Sequence, residues 1–155
     1  MSTTNFQDDA NWFIIRASIA AKQRLSKCSE EYNLSIMQAL TICLMQPDKS
    51  IPMSELSTLL ACDRSNVTGI VERLSIGKYI QRRESSADRR VKTIKLTEDG
   101  ANLRSKLLSK VSEEDAPNLK GLSHEEIEDL KQLLNKAIPN LVAPKLEAMN
   151  GFSGH

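Results

Sequence analysis

The chain has 155 residues, 40% of them hydrophobic and 26% charged, with 21 basic against 20 acidic side chains. That balance suits a single globular domain with a packed core and excludes a disordered or fibrous chain. No run approaches the roughly 18 apolar residues of a membrane span, and "MSTTNFQDDANW" lacks the basic and apolar regions of a secretory leader, so the expected location is the cytoplasm, with no membrane partner.

The near-neutral total conceals a division. Residues 1–62 hold 5 Lys/Arg against 6 Asp/Glu, residues 63–95 hold 9 against 4, and residues 96–155 hold 7 against 10. A local basic excess of this kind points toward a polyanion. Cys28, Cys43 and Cys62 are widely spaced, with no C-x-x-C pair and only His124 and His155 as histidines, which argues against a disulfide framework or a metal site.

In chain order, residues 5–29 carry Trp12, Ile15, Ile19 and Leu25 at helical spacing without Gly or Pro, which predicts one long helix. Its apolar residues exceed what one buried face needs, so part of it is expected to meet a second subunit. "NLSIMQALTICLMQPD" opens with Ser35 and Gln38 at the spacing of a capping box and predicts a second, buried helix that Pro47 stops. "DKSIP" reads as a link. "MSELSTLLA" fits a short third helix through Leu56, Leu59 and Leu60.

In "CDRSNVTGIVERLSIGKYI", Val67, Ile70, Val71 and Leu74 form an apolar stripe while Arg64, Ser65, Asn66, Thr68, Gly69, Glu72 and Arg73 lie elsewhere. Asp63 suits the N-cap and Gly77 the stop, so the third and fourth helices form a helix-turn-helix whose second member is polar outside. The period then changes to alternation. "YIQRR" and "VKTIKL" read as two strands of a hairpin, with Ile94 and Leu96 on one side and Thr93 and Lys95 on the other. Thr97 caps a helix with Leu103, Leu107 and Val111 on its stripe, ended by Pro117 and Gly121. Ser123 and Glu126 form another capping box before Ile127, Leu130, Leu133, Leu134, Ala137 and Ile138, and Pro139 interrupts that helix. Residues 140–149 keep some apolar spacing as a kinked continuation, and "NGFSGH" reads as a frayed tail.

The order helix, turn, helix, two-stranded wing supplies the two elements that duplex DNA accepts: a helix for the major groove and an arginine-bearing loop for the minor groove. Ser65, Asn66 and Thr68 suit bases or phosphates, Gly69 lets the backbone come close, and Arg64 and Arg73 suit phosphate or guanine. Arg82, Arg83 and Lys92 flank the wing, as phosphate contacts or as a solvated edge that discourages strand pairing. Arg89 and Arg90 occupy its tip. Asp88 would repel phosphates unless it braces Arg90 or Arg73; otherwise it is a turn residue.

"DRSNVTGIVERLSIGKYIQRRESSADRRVKTIKLTEDG" resembles the core signature of the MarR family of bacterial transcriptional regulators: recognition helix, wing with Asp-x-Arg (Asp88, Arg90), and a closing Leu-Thr-x-x-Gly (Leu96, Thr97, Gly100). The resemblance extends over nearly the whole chain. It implies a mainly α (α+β) fold, a winged helix-turn-helix with N- and C-terminal helices forming a dimerisation region. On this pattern residues 1–155 are one domain, with 34–97 the DNA-binding lobe and 1–33 and 98–150 the dimerisation helices. It further implies a homodimeric repressor on a pseudo-palindromic operator, with Arg90 in the minor groove and Asp88 bracing it. Two half-sites about one helical turn apart also suit the physics, because one short helix makes few contacts alone.

The resemblance implies release by a small phenolic or lipophilic acid or by cysteine oxidation. Trp12, Phe13 and Arg16 are the candidates for an acid pocket, core or interface being the other reading. Cys43 reads as core. Cys28, near the end of the first helix, is the cysteine expected to be most exposed; Cys62 precedes the recognition helix, whose dipole lowers a thiol's pKa, the other reading being that it is packed in the turn. Asn11 stands where the family's peroxide-sensing branch carries its cysteine, which counts against that chemistry. No catalytic constellation and no cofactor motif is present, so an enzyme is not expected. The competing class is a winged-helix protein-interaction module that does not bind DNA.

Overall fold

The structure is a computed structural model that describes residues 9–84, 91–111 and 119–141. The wing-tip residues Asp88, Arg89 and Arg90, the Pro117 stop, and the tail beyond Leu141 lie outside the described residues. The chain divides into two compact units, residues 1–115 and 116–155.

In the first unit, α1 spans Ala10–Glu30 and begins later than the apolar spacing suggests, because the Asp9 carboxylate accepts from the Asn11 amide at 2.7 Å and caps it. α2 (Ile36–Leu44) has the expected capping box: the Ser35 amide donates to Gln38 Oε1 at 2.7 Å, and the Gln38 amide donates to Ser35 Oγ at 3.3 Å. α3 (Met53–Leu59) and α4 (Arg64–Ile76) form the helix-turn-helix. Ala61 in the turn takes a left-handed conformation, φ 48°, which lets the Cys62 amide reach back to the Ser57 carbonyl.

The "DKSIP" link is more than a link. Ile51–Pro52 form β1, an edge strand paired antiparallel with β3 (Lys92–Leu96), which in turn pairs with β2 (Ile80–Glu84) in the order β1-β3-β2. Two residues show no alternation to read, and an edge tolerates the proline that a central strand would not. β3 is therefore the central strand, flanked on both sides. Ile94 and Leu96 are buried as expected, but Thr93 is buried too, against the simple alternation, its hydroxyl donating to the Arg83 carbonyl at 3.3 Å.

Ile42, Met45, Leu56, Val67, Val71, Leu74, Ile94 and Leu107 make the centre of the core, where α2 packs on α1, α4 and α5 (Glu98–Val111). α4 stops at Gly77, yet the left-handed residue is Lys78, φ 60°, with the Tyr79 amide returning to the Leu74 carbonyl. The next turn is closely packed. Thr97 Oγ1 donates to the Lys78 carbonyl at 2.6 Å and accepts from the Gly100 amide at 3.0 Å, while the Thr97 amide donates to the Tyr79 carbonyl at 3.0 Å. A Cβ on Gly100 would lie 1.9 Å from the Tyr79 oxygen.

The second unit contains α6 (His124–Leu141), started by the Ser123 and Glu126 capping box. Contrary to the expected interruption, the helix runs past Pro139 to Leu141. Proline so near a helix end removes one hydrogen bond and ends little of the ladder. Among the described residues no helix is long and apolar enough to cross a membrane.

Gly100→Ala is expected to lower unfolding free energy by about 2 kcal/mol or more, because backbone cannot yield as a side chain does. Lys78→Gly is expected to raise it by about 0.5 kcal/mol, the left-handed penalty exceeding the entropy of glycine. Urea unfolding of both variants measures the contrast.

Candidate nucleic-acid interface

α4 turns Val67, Val71 and Leu74 into the core, and the helical period then forces Arg64, Ser65, Asn66, Thr68, Glu72 and Arg73 outward, where all six are exposed. Gly69 lies among them, and a Cβ there would meet nothing within 4 Å. The bare backbone is therefore not a packing requirement. It leaves one point on an otherwise crowded face where another molecule can approach the main chain.

Clefts lie on both sides of the first turns of this helix. On the wing side, Arg64, Thr68 and Lys92 come together with Pro52 and Ser54 around a cleft of about 370 Å³. On the other side, Ser65, Asn66, Gly69 and Arg73 line a cleft of about 510 Å³ with Ser35 and Cys62. The sequence candidates thus divide between two walls of one ridge. Ser54 and Ser35 were not among them; Ser35 was legible only as a cap, and its approach to α4 depends on how α2 packs.

Several polar groups on the ridge are already engaged. Asp63 Oδ1 accepts from the Asn66 amide at 2.9 Å and from the Ser65 hydroxyl at 2.7 Å. The Asn66 amide first, and the Ser65 hydroxyl second, hold the Asp63 carboxyl below the ordinary aspartate range. The Thr68 hydroxyl donates to the Arg64 carbonyl at 2.8 Å. On the wing, Lys92 pairs with Glu84 at 2.9 Å, its direct cross-strand neighbour, and Arg83 Nη2 donates to Gln81 Oε1 at 3.2 Å. Arg82 and Arg83 are exposed, and exposed pairs of this kind are weak enough for a phosphate to compete with them.

Cys43 and Cys62 pack against the core, and only Cys28 departs from its expected exposure. All three are half-buried, so Cys28 is not the exposed one. Burial, and then the Asp63 carboxylate, push the Cys62 thiol up. Burial also pushes Cys43 up, partly offset by the Arg104 guanidinium. On α1, Trp12 is half-buried while Phe13 and Arg16 are exposed, and none of the three lines either cleft beside α4. Among the described residues no cluster of His, Cys, Asp and Glu is placed to hold a metal ion.

A helix-turn-helix with a polar outer face, continued by a three-stranded wing, defines a winged-helix transcriptional regulator of the MarR type, and the comparisons agree. The model of the family "Transcriptional regulator SarA/Rot" matches residues 23–107. The regulator MgrA of Staphylococcus aureus is 29% identical over 113 residues, covering 73% of this chain and 76% of its own. The organic hydroperoxide resistance transcriptional regulator of Bacillus subtilis is 31% identical over 105 residues, 67% of each chain. Among solved structures, wild-type apo MarR from E. coli superposes with TM-score 0.72 at 22% identity, covering 84% of this chain and 98% of its own. NadR in complex with 4-hydroxyphenylacetate gives TM-score 0.72 at 25% identity, with 88% and 96% covered. The chain belongs to the SarA/Rot family of transcriptional regulators, within the MarR-type winged-helix class. Its relatives are regulators rather than enzymes.

The Asp63 cap generates a pH dependence. A carboxyl held below its unfolded value contributes stability that is complete above the ordinary aspartate range of about 4 and is lost as pH falls through the folded value. Urea unfolding between about pH 3 and pH 7 should therefore show a shallower acid loss in Asp63→Ala than in the wild type, with the variant less stable at neutral pH.

Proposed function

We propose that the protein is a homodimeric, sequence-specific repressor that sets α4 into the major groove of each half of an inverted-repeat operator. The observation that carries this is the outer side of α4, polar from Arg64 to Arg73 and bare at Gly69, with Arg64 and Arg73 at its edges. Residues 34–97 act as the DNA-binding lobe. Arg90 enters the minor groove from the wing tip, braced by Asp88, while Arg82, Arg89 and Lys92 meet phosphates. The protein then works in the cytoplasm, with the DNA.

Dimerisation through residues 1–33 and 98–150 is supported by apolar side chains that α1 and α6 leave uncovered. Phe13, Ile15 and Ile19 are 54%, 45% and 50% exposed, and Leu133 is 65% exposed. Release by a small aromatic acid is the favoured signal, since a structural relative is seen with 4-hydroxyphenylacetate and Trp12, Phe13 and Arg16 put aromatic surface and a cation on α1. Oxidation is the second reading, suggested by the name of the Bacillus relative. The raised Cys62 thiol is a poor sensor, so this reading rests on Cys28.

Operator titration over a salt series tests the assignment. Affinity should fall steeply with salt, and Arg64→Ala and Arg73→Ala should each lower the slope by about 1 if they neutralise a phosphate. Arg90→Ala should cost about tenfold or more in affinity with the dimer intact by sedimentation. Gly69→Ala separates contact from folding: it should raise stability by about 0.5 kcal/mol, as in any helix interior, while weakening the operator complex. Wild-type protein that binds no duplex at low salt would favour the protein-interaction module instead.

A further inference from the structure

Three exposed side chains follow one another along the outer ridge of α4 at i, i+3 and i+7: Ser65, Thr68 and Glu72. A hydroxyl carries one proton and two lone pairs, so where the proton goes decides what the oxygen can still do. Ser65 gives its proton to Asp63 Oδ1 at 2.7 Å, and Thr68 gives its proton to the Arg64 carbonyl at 2.8 Å. The direction of the first bond is unambiguous at neutral pH, because the Asn66 amide also donates to Asp63 and together they keep that carboxyl charged. Glu72 is a carboxylate and has no proton to give. The ridge therefore presents lone pairs, together with the methyl of Thr68, while the outward donors of the helix flank it, Arg64 on the wing side and Asn66 and Arg73 on the other.

Phosphate oxygens are acceptors, and so are guanine O6 and N7 and thymine O4. The donors that the major groove offers are the exocyclic amino groups of adenine N6 and cytosine N4. We propose that Ser65, Thr68 and Glu72 form an acceptor ridge that reads adenine or cytosine amino groups, and that Asp63 is a positioning residue which fixes the polarity of Ser65. The inference rests on α4 entering the major groove and adds to it a sign: these hydroxyls specify bases and do not hold the backbone.

The test starts from duplexes selected by the wild-type protein from random DNA. Each adenine or cytosine of a half-site is replaced singly by purine or 2-pyrimidinone, which lack the amino group, and each phosphate singly by methylphosphonate. Removal of the amino group facing Ser65 is expected to cost the wild type about tenfold in affinity, since a buried acceptor is left unpaired. Ser65→Ala should bind the unmodified duplex about tenfold more weakly and be indifferent to that same removal. Asp63→Ala should relax the preference at that base pair toward acceptor-bearing bases, whereas Asp63→Asn, which still offers an oxygen to both the Asn66 amide and the Ser65 hydroxyl, should keep it. A purely structural role for Asp63 would lower affinity for all sequences equally and overturns the positioning claim. Ser65→Ala that stays sensitive to amino removal but loses sensitivity to one methylphosphonate overturns the acceptor ridge while leaving DNA binding intact. Failure to select any duplex overturns both.

Discussion

Glycine 100 stands against the Tyr79 carbonyl with no room for a side chain, and most of the molecule's working geometry depends on that approach. Tyr79 ends the turn that closes α4 and begins β2, while Gly100 lies in the first turn of α5. Thr97 completes the joint by capping α5 and donating to the Lys78 carbonyl. One contact thus sets the end of the recognition helix, the root of the wing and the start of α5 at once. The closing Leu-Thr-x-x-Gly of the sequence is the chemical record of this joint: Leu96 fills the core, Thr97 bonds both ways, and Gly100 leaves space.

α5 is held at its other end by different means. Arg24 of α1 donates through Nε and Nη2 to the Lys110 carbonyl at 3.2 and 2.9 Å. Lys110 itself pairs with Glu31 and lies 5.8 Å from the centre of the Tyr32 ring. Midway, Arg104 donates to the Cys43 carbonyl at the end of α2 at 3.2 Å. The helix is therefore fixed to α1 and α2 along its length and to the α4–β2 turn at its start. A rigid element with these attachments keeps the recognition helix in a set relation to α1, where the uncovered apolar residues lie.

The basic excess of residues 63–95 acquires an order that charge counting misses. The helix keeps its acids, Asp63 and Glu72, on the outer side together with Arg64 and Arg73, so the face is mixed rather than uniformly positive. Asp63 is spent locally on the cap and on Ser65. Lys92 and Glu84 cancel each other across the hairpin, leaving Arg82 and Arg83 as the exposed cations of β2. A face of this kind gains its discrimination from where donors and acceptors lie, with net charge supplying mainly attraction.

Sequence alone determined what depends on near neighbours. The capping boxes at Ser35 and Ser123, the Asp63 and Thr97 caps, the stripe of Val67, Val71 and Leu74, and the switch to alternation after Gly77 are local events, settled within a turn or two of helix or strand. The polar outer face of α4 follows from the same arithmetic, and with it the family. Tertiary structure decided everything that needs a distant partner. Ile51–Pro52 are a strand only because β3 arrives beside them, and Thr93 is buried only because β3 is central. Cys62 is pushed up by its burial and by the Asp63 carboxylate, and the grooves beside α4 exist because Ser35 on one side and Ser54 and Lys92 on the other are brought to it. Nothing in the spacing of residues 77–79 and 97–100 shows that glycine is required there, since the obstacle is a carbonyl about twenty residues away in the chain.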